Sequence, residues 1–386
     1  MQYLLNKIKG DKVIWLVVII LSVFSILAVY SSTGSLAYKY QGGNTEYYMM
    51  KHLFILLFGF LLMYLAHLVK YTYFSRIFQI ALYIAVPLLV LTLFVGLNLN
   101  EAKRVLPLPF GFTFQTSDLA KLTLIMYLAR MLTKRQDKIK DFKSAFIPIM
   151  IPILIVCFLI LPANFSTAAI LFTTSLVLLF IGRISLKHIF SMIGIGVVVM
   201  LMMVMIAKSY PDLLPRVGTW ISRVENFKNG ESEDNYQVEQ AKIAVASGGI
   251  VGKMPGNSEQ RYFLPHPYSD FIYAFIIEEY GLIGGVIIVL LYLILLFRAV
   301  KIVTKAPNNF GAFLTIGVAF SLVFQAMINM GVAVNLLPVT GQPLPLVSMG
   351  GTSIWFTSIS IGIILSVSKE IEKSNNNAEN LRTAEI

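Results

Sequence analysis

Long apolar runs alternate with short polar stretches along this chain, and most of the runs are longer than a soluble core helix requires. A helix that crosses a bilayer needs about 20 apolar residues, because lipid offers no partners for backbone polar groups. Ten segments fit or approach that length: Val13–Tyr30, His52–Val69, Ile77–Val95, Leu119–Leu132, Ala145–Leu161, Thr167–Ile181, Ile189–Ala207, Ser269–Phe297, Phe313–Val334 and Ser353–Val367. The fourth and tenth are short, and the eighth is long enough to tilt or break. Lys7, Lys9 and Lys12 give the first run a signal-peptide-like start. Its apolar stretch outruns a signal core, however, and no small-residue cleavage site follows, so it reads as a span. The pattern predicts an all-α polytopic integral membrane protein with about ten transmembrane helices, forming a single transmembrane domain over residues 1–368.

Composition points the same way. Hydrophobic residues make up 57% of the chain and charged residues 13%, against about 45–50% and about 25% in soluble domains. That is too little charge to wet the surface of a 386-residue globule. The net charge of +11 therefore records topology rather than a nucleic-acid partner. Most Lys and Arg residues fall in alternate connections, most densely from Arg130 to Lys143. The positive-inside rule places those connections, and both termini, in the cytoplasm. The polar, Asn-rich stretch 369–386 is expected to be a disordered cytoplasmic tail. Cys157, alone in an apolar run, can form no intramolecular disulfide. His52, His67 and His188 lie at presumed span ends without metal-ligand spacing and are expected at the membrane interface.

Two outer regions exceed the length of simple connections: Asn98–Ser117, and residues 209–268 between the seventh and eighth spans. Loops beyond about 15 residues are usually functional or disordered. Trp220, Tyr236, Tyr262, Phe263 and several prolines in the second predict partial folding onto the bundle.

Candidate chemistry gathers in three places. Asp270 stands where the large loop re-enters the membrane, and an ionisable group at that depth is a functional candidate by default. A carboxylate sheltered below a polar loop suits a general base. Ser269-Asp270 equally suits a helix N-cap, and spacing alone leaves both roles open. On a continuous helix Glu278 lies about 12 Å deeper and about 80° around, and Glu279 faces the opposite side. Lys103-Arg104 could hold a diphosphate, Arg supplying a bidentate fork. Gln115 and the Asp118–Lys121 pair follow, the pair reading equally as an i,i+3 ion pair at a helix start with Thr116 or Ser117 as N-cap. In Gly341–Ser353 the prolines impose a non-helical path, while Gly350-Gly351 permits positive φ and close approach to a ligand. Such backbone lines a cavity or forms a rigid outer turn. Ser247-Gly248-Gly249-Ile250-Val251-Gly252-Lys253 is a poor phosphate loop, since Met254 stands where the Walker pattern needs a hydroxyl.

These constellations, in this order, resemble the SEDS family of polytopic cell-wall glycosyltransferases, FtsW and RodA. The resemblance runs from about Val13 to Ser368 and is most specific in Ser247–Lys253, Leu264–Gly285 and Pro338–Ser353. Asn257-Ser258-Glu259-Gln260-Arg261 before Tyr262-Phe263-Leu264-Pro265 looks more like the division-associated FtsW branch. The resemblance implies an inverting glycosyltransferase of the bacterial inner (cytoplasmic) membrane, at the division septum. It would polymerise lipid II at the outer face and release undecaprenyl diphosphate. It implies work alongside a class B transpeptidase penicillin-binding protein and other divisome membrane proteins. The family's essential acidic residue falls on Asp270, as direct base or as ligand to a divalent cation, Mg or Mn. Lys103, Arg104 and Lys121 would face the leaving diphosphate, and Arg223, Lys253 and Arg261 a second diphosphate or the glycan. Gln115, Ser348, Gly350 and Gly351 complete the implied substrate site.

The sequence also departs from the family pattern. Val105 replaces a Trp, Thr116-Ser117-Asp118 replaces Pro-Ser-Glu, and Ala163-Asn164-Phe165-Ser166-Thr167 replaces Pro-Asp-x-Gly-Thr. His266-Pro267-Tyr268-Ser269 replaces Glu-x-His-Thr, so no acid stands at 164 or 266. Two rival classes fit ten spans: a lipid II flippase or transporter, and a non-catalytic division scaffold. A transporter would place its ionisable groups near the midplane between broken helices, whereas these cluster at the outer mouth. A scaffold would tolerate loss of Asp270.

Overall fold

The computed structural model describes residues 9–99, 102–107, 113–209, 215–229, 234–264 and 268–384. In chain order the helices are α1 (Lys12–Ser32), α2 (Gly34–Gln41), α3 (Thr45–Leu68), α4 (Tyr71–Val95), α5 (Thr116–Lys134) and α6 (Ile147–Ile160). They continue as α7 (Phe165–Ile181), α8 (Leu186–Ser209), α9 (Pro215–Asn229), α10 (Asp234–Gly248), α11 (Ile272–Lys305), α12 (Asn309–Ala333) and α13 (Gly351–Ala384). Among the described residues eight helical segments are long and apolar enough to cross a membrane. The shorter apolar α7 and the more charged α5 occupy the remaining two expected spans.

Position in the bundle follows from what each helix buries. Two-thirds of the most apolar window of α12 and of α13 is buried, against 17% for α8. The first two helices form the middle, and α8 shows most of its apolar surface to the outside, which in a membrane is lipid. At one end Asp11 caps α1, accepting from Val13 N and Ile14 N, and takes a bidentate contact from Arg298 (2.6 and 2.8 Å). Gly10 N donates to Glu372 at 2.8 Å, so the start of α1 and the last turns of α13 share that end. This is the face that the charge pattern assigns to the cytoplasm.

Several features differ from the sequence-based expectation. Residues 369–384, expected as a disordered tail, continue α13 as helix. The first long outer region holds a small antiparallel sheet, β1 (Leu97–Leu99), β2 (Ala102–Pro107) and β3 (Thr113–Phe114), in which Leu97 pairs with Val105 and Leu106 with Phe114. His67 does stand at a span end, in the last turn of α3, but its side chain and that of His52 pack inside the bundle, 3% and 1% exposed. His52 shares a 2.7 Å hydrogen bond with Ser25 Oγ. The second long region folds onto the bundle through α9 and α10. Trp220 packs against Phe165 (4.8 Å), and Ala241 and Ala244 join the main core.

The largest difference concerns α11. Gly281 has φ 69° and ψ −174°, which interrupts the helix between residues 280 and 282. On a straight helix Tyr273 and Gly285 would stand about 18 Å apart. Instead the Tyr273 hydroxyl donates to Gly285 O at 3.2 Å, so the limb 272–280 folds back along the start of limb 282–305. The glycine-rich stretch before it makes this reversal. Lys253 N donates to Glu278 O (2.9 Å), Met254 N to Glu279 O (3.0 Å) and Leu282 N to Gly249 O (2.9 Å). A Cβ on Gly252 would sit 2.3 Å from Glu279 O, and one on Gly248 2.1 Å from Ile277 O. The motif is a backbone-to-backbone seam.

Gly252 also has φ 89°, so Gly252→Ala combines strain with collision against backbone that cannot retreat. We expect it to destabilise the protein by about 3 kcal/mol or more, seen as a lower thermal midpoint and aggregation on size exclusion in detergent. Gly256→Ala, at φ 85° with nothing within 4 Å of the added carbon, should cost about 1 kcal/mol.

Candidate functional site

The reversal at Gly281 inverts the order of depth expected for the acids. Glu279 hydrogen-bonds Ser31 at the outer end of α1. Asp270 begins the other end of the limb, in the turn before Ile272. There Ser269 O accepts from Ser348 Oγ (2.7 Å) and Tyr268 O from Met349 N (2.9 Å). The neighbouring Val347 O accepts from Ser25 Oγ at 2.8 Å, and Ser25 lies six residues, about 9 Å, inward from Ser31. Asp270 is the recessed acid, and the two glutamates are the outer ones.

Asp270 is not the helix cap. The N-cap position is Phe271, without a side-chain cap. The Asp270 carboxyl accepts from Ser269 Oγ at 2.9 Å, and its other oxygen faces Gly341, where a Cβ would come within 3.5 Å. Gly341 (φ 65°) thus keeps side-chain bulk away from the carboxylate, and a substitution there would also be strained. Positive φ in this segment belongs to Gly341 and Leu346, not to Gly350 and Gly351 as the sequence suggested. Burial, then the charges of Tyr48, Tyr40 and Asp270, push the Tyr268 phenol above its ordinary range, so it stays protonated beside the acid.

Polar residues on α12 join this centre to the cation pair. Asn329 Nδ2 donates to Asp270 O (2.9 Å) and to Gln342 O (2.7 Å). Gln342 Nε2 donates to Asn164 Oδ1 (3.2 Å) and Thr167 Oγ1 (2.9 Å). Asn164 is the N-cap of α7 and shares a water-sized cavity of about 20 Å³ with Lys103, Arg104 and Gln115. Arg104 Nε donates to Ala163 O (3.0 Å), while Lys103 Nζ donates to Phe94 O (2.5 Å) at the end of α4. Lys121 meets Asp118 (3.4 Å) and Gln325 Oε1 (2.8 Å), and Gln325 donates to Pro343 O (2.9 Å). The start of α5 is capped by neither Thr116 nor Ser117. Gln115 holds the N-cap position without a side-chain cap, and Thr116 bonds Thr92 instead.

Asp270, Arg104, Lys121, Gln115 and Ser348 therefore belong to one connected outer centre. Gly350 and Gly351 border it through Thr352, whose hydroxyl accepts from Gln115 N at 3.1 Å. Arg223 on α9 donates to Val339 O (3.2 Å) and docks that helix on the Pro338–Ser353 segment. Lys253 and Arg261 lie elsewhere. Lys253 pairs with Glu278 (3.2 Å) and Glu259 (3.3 Å), and Arg261 folds on Gly256 O and Tyr262. Burial draws the Lys253 ammonium down, but the two carboxylates outweigh it and hold it above its ordinary range. These two cations belong to a clamp over the seam. His266 lies outside the described residues.

Sequence reasoning missed Gln325, Asn329 and Gln342. Ser321, Gln325 and Asn329 recur every four residues on the largely apolar α12, which puts them on one face. That periodic polar stripe was the available signal.

The chain matches the sequence profile shared by FtsW, RodA and SpoVE, described as "Cell cycle protein", over residues 11–373. It belongs to this family. A probable peptidoglycan glycosyltransferase FtsW from Geobacter sp. (strain M18) is 31% identical over 372 residues, covering 94% of this chain and 98% of the relative. Stage V sporulation protein E of Bacillus subtilis (strain 168) is 29% identical over 369 residues, covering 94% and 98%. The RodA crystal structure from Thermus thermophilus superposes with a TM-score of 0.67 at 21% identity, covering 95% of this chain and 98% of RodA. A chain of a peptidoglycan synthase complex that coordinates polymerization and crosslinking gives 0.69 at 22% identity, covering 94% and 98%. At those identities the structures establish the fold. The family match makes this a multi-pass membrane protein of the FtsW and RodA type.

Proposed function

We propose that this family member is a peptidoglycan glycosyltransferase of the bacterial inner membrane, polymerising lipid II at the outer face during cell division. The observation that carries the reading is the recessed Asp270 tied through Asn329 and Gln342 to the Arg104 cavity. In the reaction the acceptor's GlcNAc 4-hydroxyl oxygen attacks the donor's anomeric carbon from the face opposite the diphosphate. The carbon–oxygen bond to the diphosphate breaks, and undecaprenyl diphosphate leaves. Asp270 takes the hydroxyl proton. Arg104, with Lys103 and Lys121, neutralises charge growing on the leaving group, which is the electrostatic share of the barrier.

An apolar groove of about 480 Å³ between α6, α7 and α8 supports the reading. It starts at Leu161 and Phe165, on either side of Ala163-Asn164, and can take a polyprenyl chain whose diphosphate rests by Arg104. Among the described residues no group of three or more His, Cys, Asp or Glu side chains gathers to hold a metal. Asp270 alone fits a cation held chiefly by diphosphate oxygens and water, as Mg²⁺ commonly is. Such an ion would supply further charge neutralisation. The partners we propose are a class B penicillin-binding transpeptidase and other divisome membrane proteins.

The test is glycan polymer on a gel from lipid II, using purified protein with and without its transpeptidase, and with or without chelator. Polymer supports the proposal, and chelator sensitivity assigns the cation. Movement of lipid II between leaflets without polymer would overturn it in favour of a flippase. Within the same assay Asn329→Leu is expected to lower output about 10–100-fold. It removes both donors that hold Asp270 O and Gln342 O in register while keeping the side chain's size.

A further inference from the structure

At the cytoplasmic end lies a second polar cavity, of about 470 Å³, remote from the sugar chemistry. Three segments distant in sequence meet there: the residues before α1, the turn between α3 and α4, and the last turns of α13. Lys9, Lys70, Lys369 and Lys373 line it with Glu370 and Glu372, a formal excess of two positive charges over these six. The acids are already engaged. Glu370 stands 3.8 Å from Lys70, and Glu372 accepts from Gly10 N. Lys369 donates to the carbonyls of His67 (3.2 Å) and Leu68 (3.1 Å), which take up two of its three protons without cancelling its charge. Lys9 and Lys373 form no ion pair among the described residues. Both stand near enough to Lys369 for their charges to repel.

The fold thus concentrates like charge that an anion would relieve. What borders the cavity indicates which anion. Leu68 lines it at 50% exposure, and Leu65, 48% exposed, follows one turn along the apolar face of α3. A phosphate in the cavity would have hydrocarbon beside it. Basic pockets between membrane helices on the cytoplasmic side recognise anionic lipid headgroups.

We propose that this cavity binds the phosphate of an anionic phospholipid, with the acyl chains lying along the exposed Leu65–Leu68 face. The recognised chemistry is a phosphate anion, and the apolar border selects a lipid over free phosphate.

Delipidated full-length protein would be offered phosphatidylglycerol, phosphatidylcholine or inorganic phosphate and examined by native mass spectrometry. Phosphatidylglycerol should be retained at least about tenfold better than phosphatidylcholine. Lys9→Gln with Lys373→Gln should weaken that retention about tenfold or more, since each lysine near anionic lipid contributes roughly fivefold. Both side chains are exposed, so the thermal midpoint should not move, and the double Arg variant should retain the lipid. Lys134→Gln with Lys138→Gln, elsewhere on the same face, should change nothing. Equal retention of phosphatidylcholine, undiminished binding by the Gln pair, equal loss at Lys134 and Lys138, or displacement of the lipid by inorganic phosphate would each overturn the proposal.

Discussion

Replacing Asp270 by Asn is expected to remove glycan polymerisation while leaving a folded protein. The change keeps size and shape but deletes the only proton acceptor we assign to the acceptor hydroxyl. A positioned general base contributes about 10²–10⁴-fold, so output should fall to the floor of a gel assay. Folding should persist because two hydrogen bonds that hold this turn reach its backbone rather than the carboxylate. Asn329 and Ser348 reach the carbonyls of Asp270 and Ser269. Ser269 Oγ can donate to an amide oxygen as it does to the carboxylate. An unchanged thermal midpoint with lost polymer would assign chemistry to Asp270. Full activity in the Asn variant would eliminate Asp270 as the general base.

Glu278→Ala should have the opposite signature, a large loss of stability before any specific loss of chemistry. Glu278 is fully buried, and its carboxylate accepts from Lys253 Nζ, Glu259 N (3.1 Å), Gln260 N (3.4 Å) and Ser258 Oγ. Truncation leaves Glu259 N, Gln260 N and Ser258 Oγ without this acceptor and frees the segment that closes over the seam, while Lys253 keeps Glu259. Breaking a buried, hydrogen-bonded ion pair costs about 3–5 kcal/mol. Lys253 is 24% exposed and can turn to water, which places the expected loss at about 3 kcal/mol. Glu278→Gln keeps acceptor capacity on one atom and should lose less. Equal midpoints for wild type and the Ala variant would refute the clamp. The Lys253 pole is insensitive near neutrality. Its pKa is raised in the fold, so its contribution is complete below the unfolded lysine value and fades only as pH climbs through the higher folded value.

Much of the architecture was legible because membrane insertion is decided locally. Each span must satisfy its own backbone and present apolar side chains to lipid, so ten runs could be read one at a time. The eighth run, at 29 residues, was long enough to tilt or break, but locality could not say that Gly281 would fold α11 back on itself. Ser247–Lys253 looked like a failed phosphate loop until its glycines met backbone 277–283 at distances no Cβ permits. The tail 369–384 read as disorder from composition. Its first turns carry contacts to Gly10, His67 and Leu68, partners some 300 residues or more away.

The sequence alone therefore determined the spans, their orientation by charge, and the prominence of Asp270 at the foot of the large outer loop. Hydropathy, lysine placement and local motif are properties of neighbouring residues. The tertiary structure alone decided that Asp270 is recessed while Glu278 and Glu279 are outer anchors, and that Gln325, Asn329 and Gln342 wire the centre to Arg104. Those roles depend on which polar groups share a low-dielectric interior. There an unpaired donor or acceptor is costly, so the partner each one finds across the bundle sets its function.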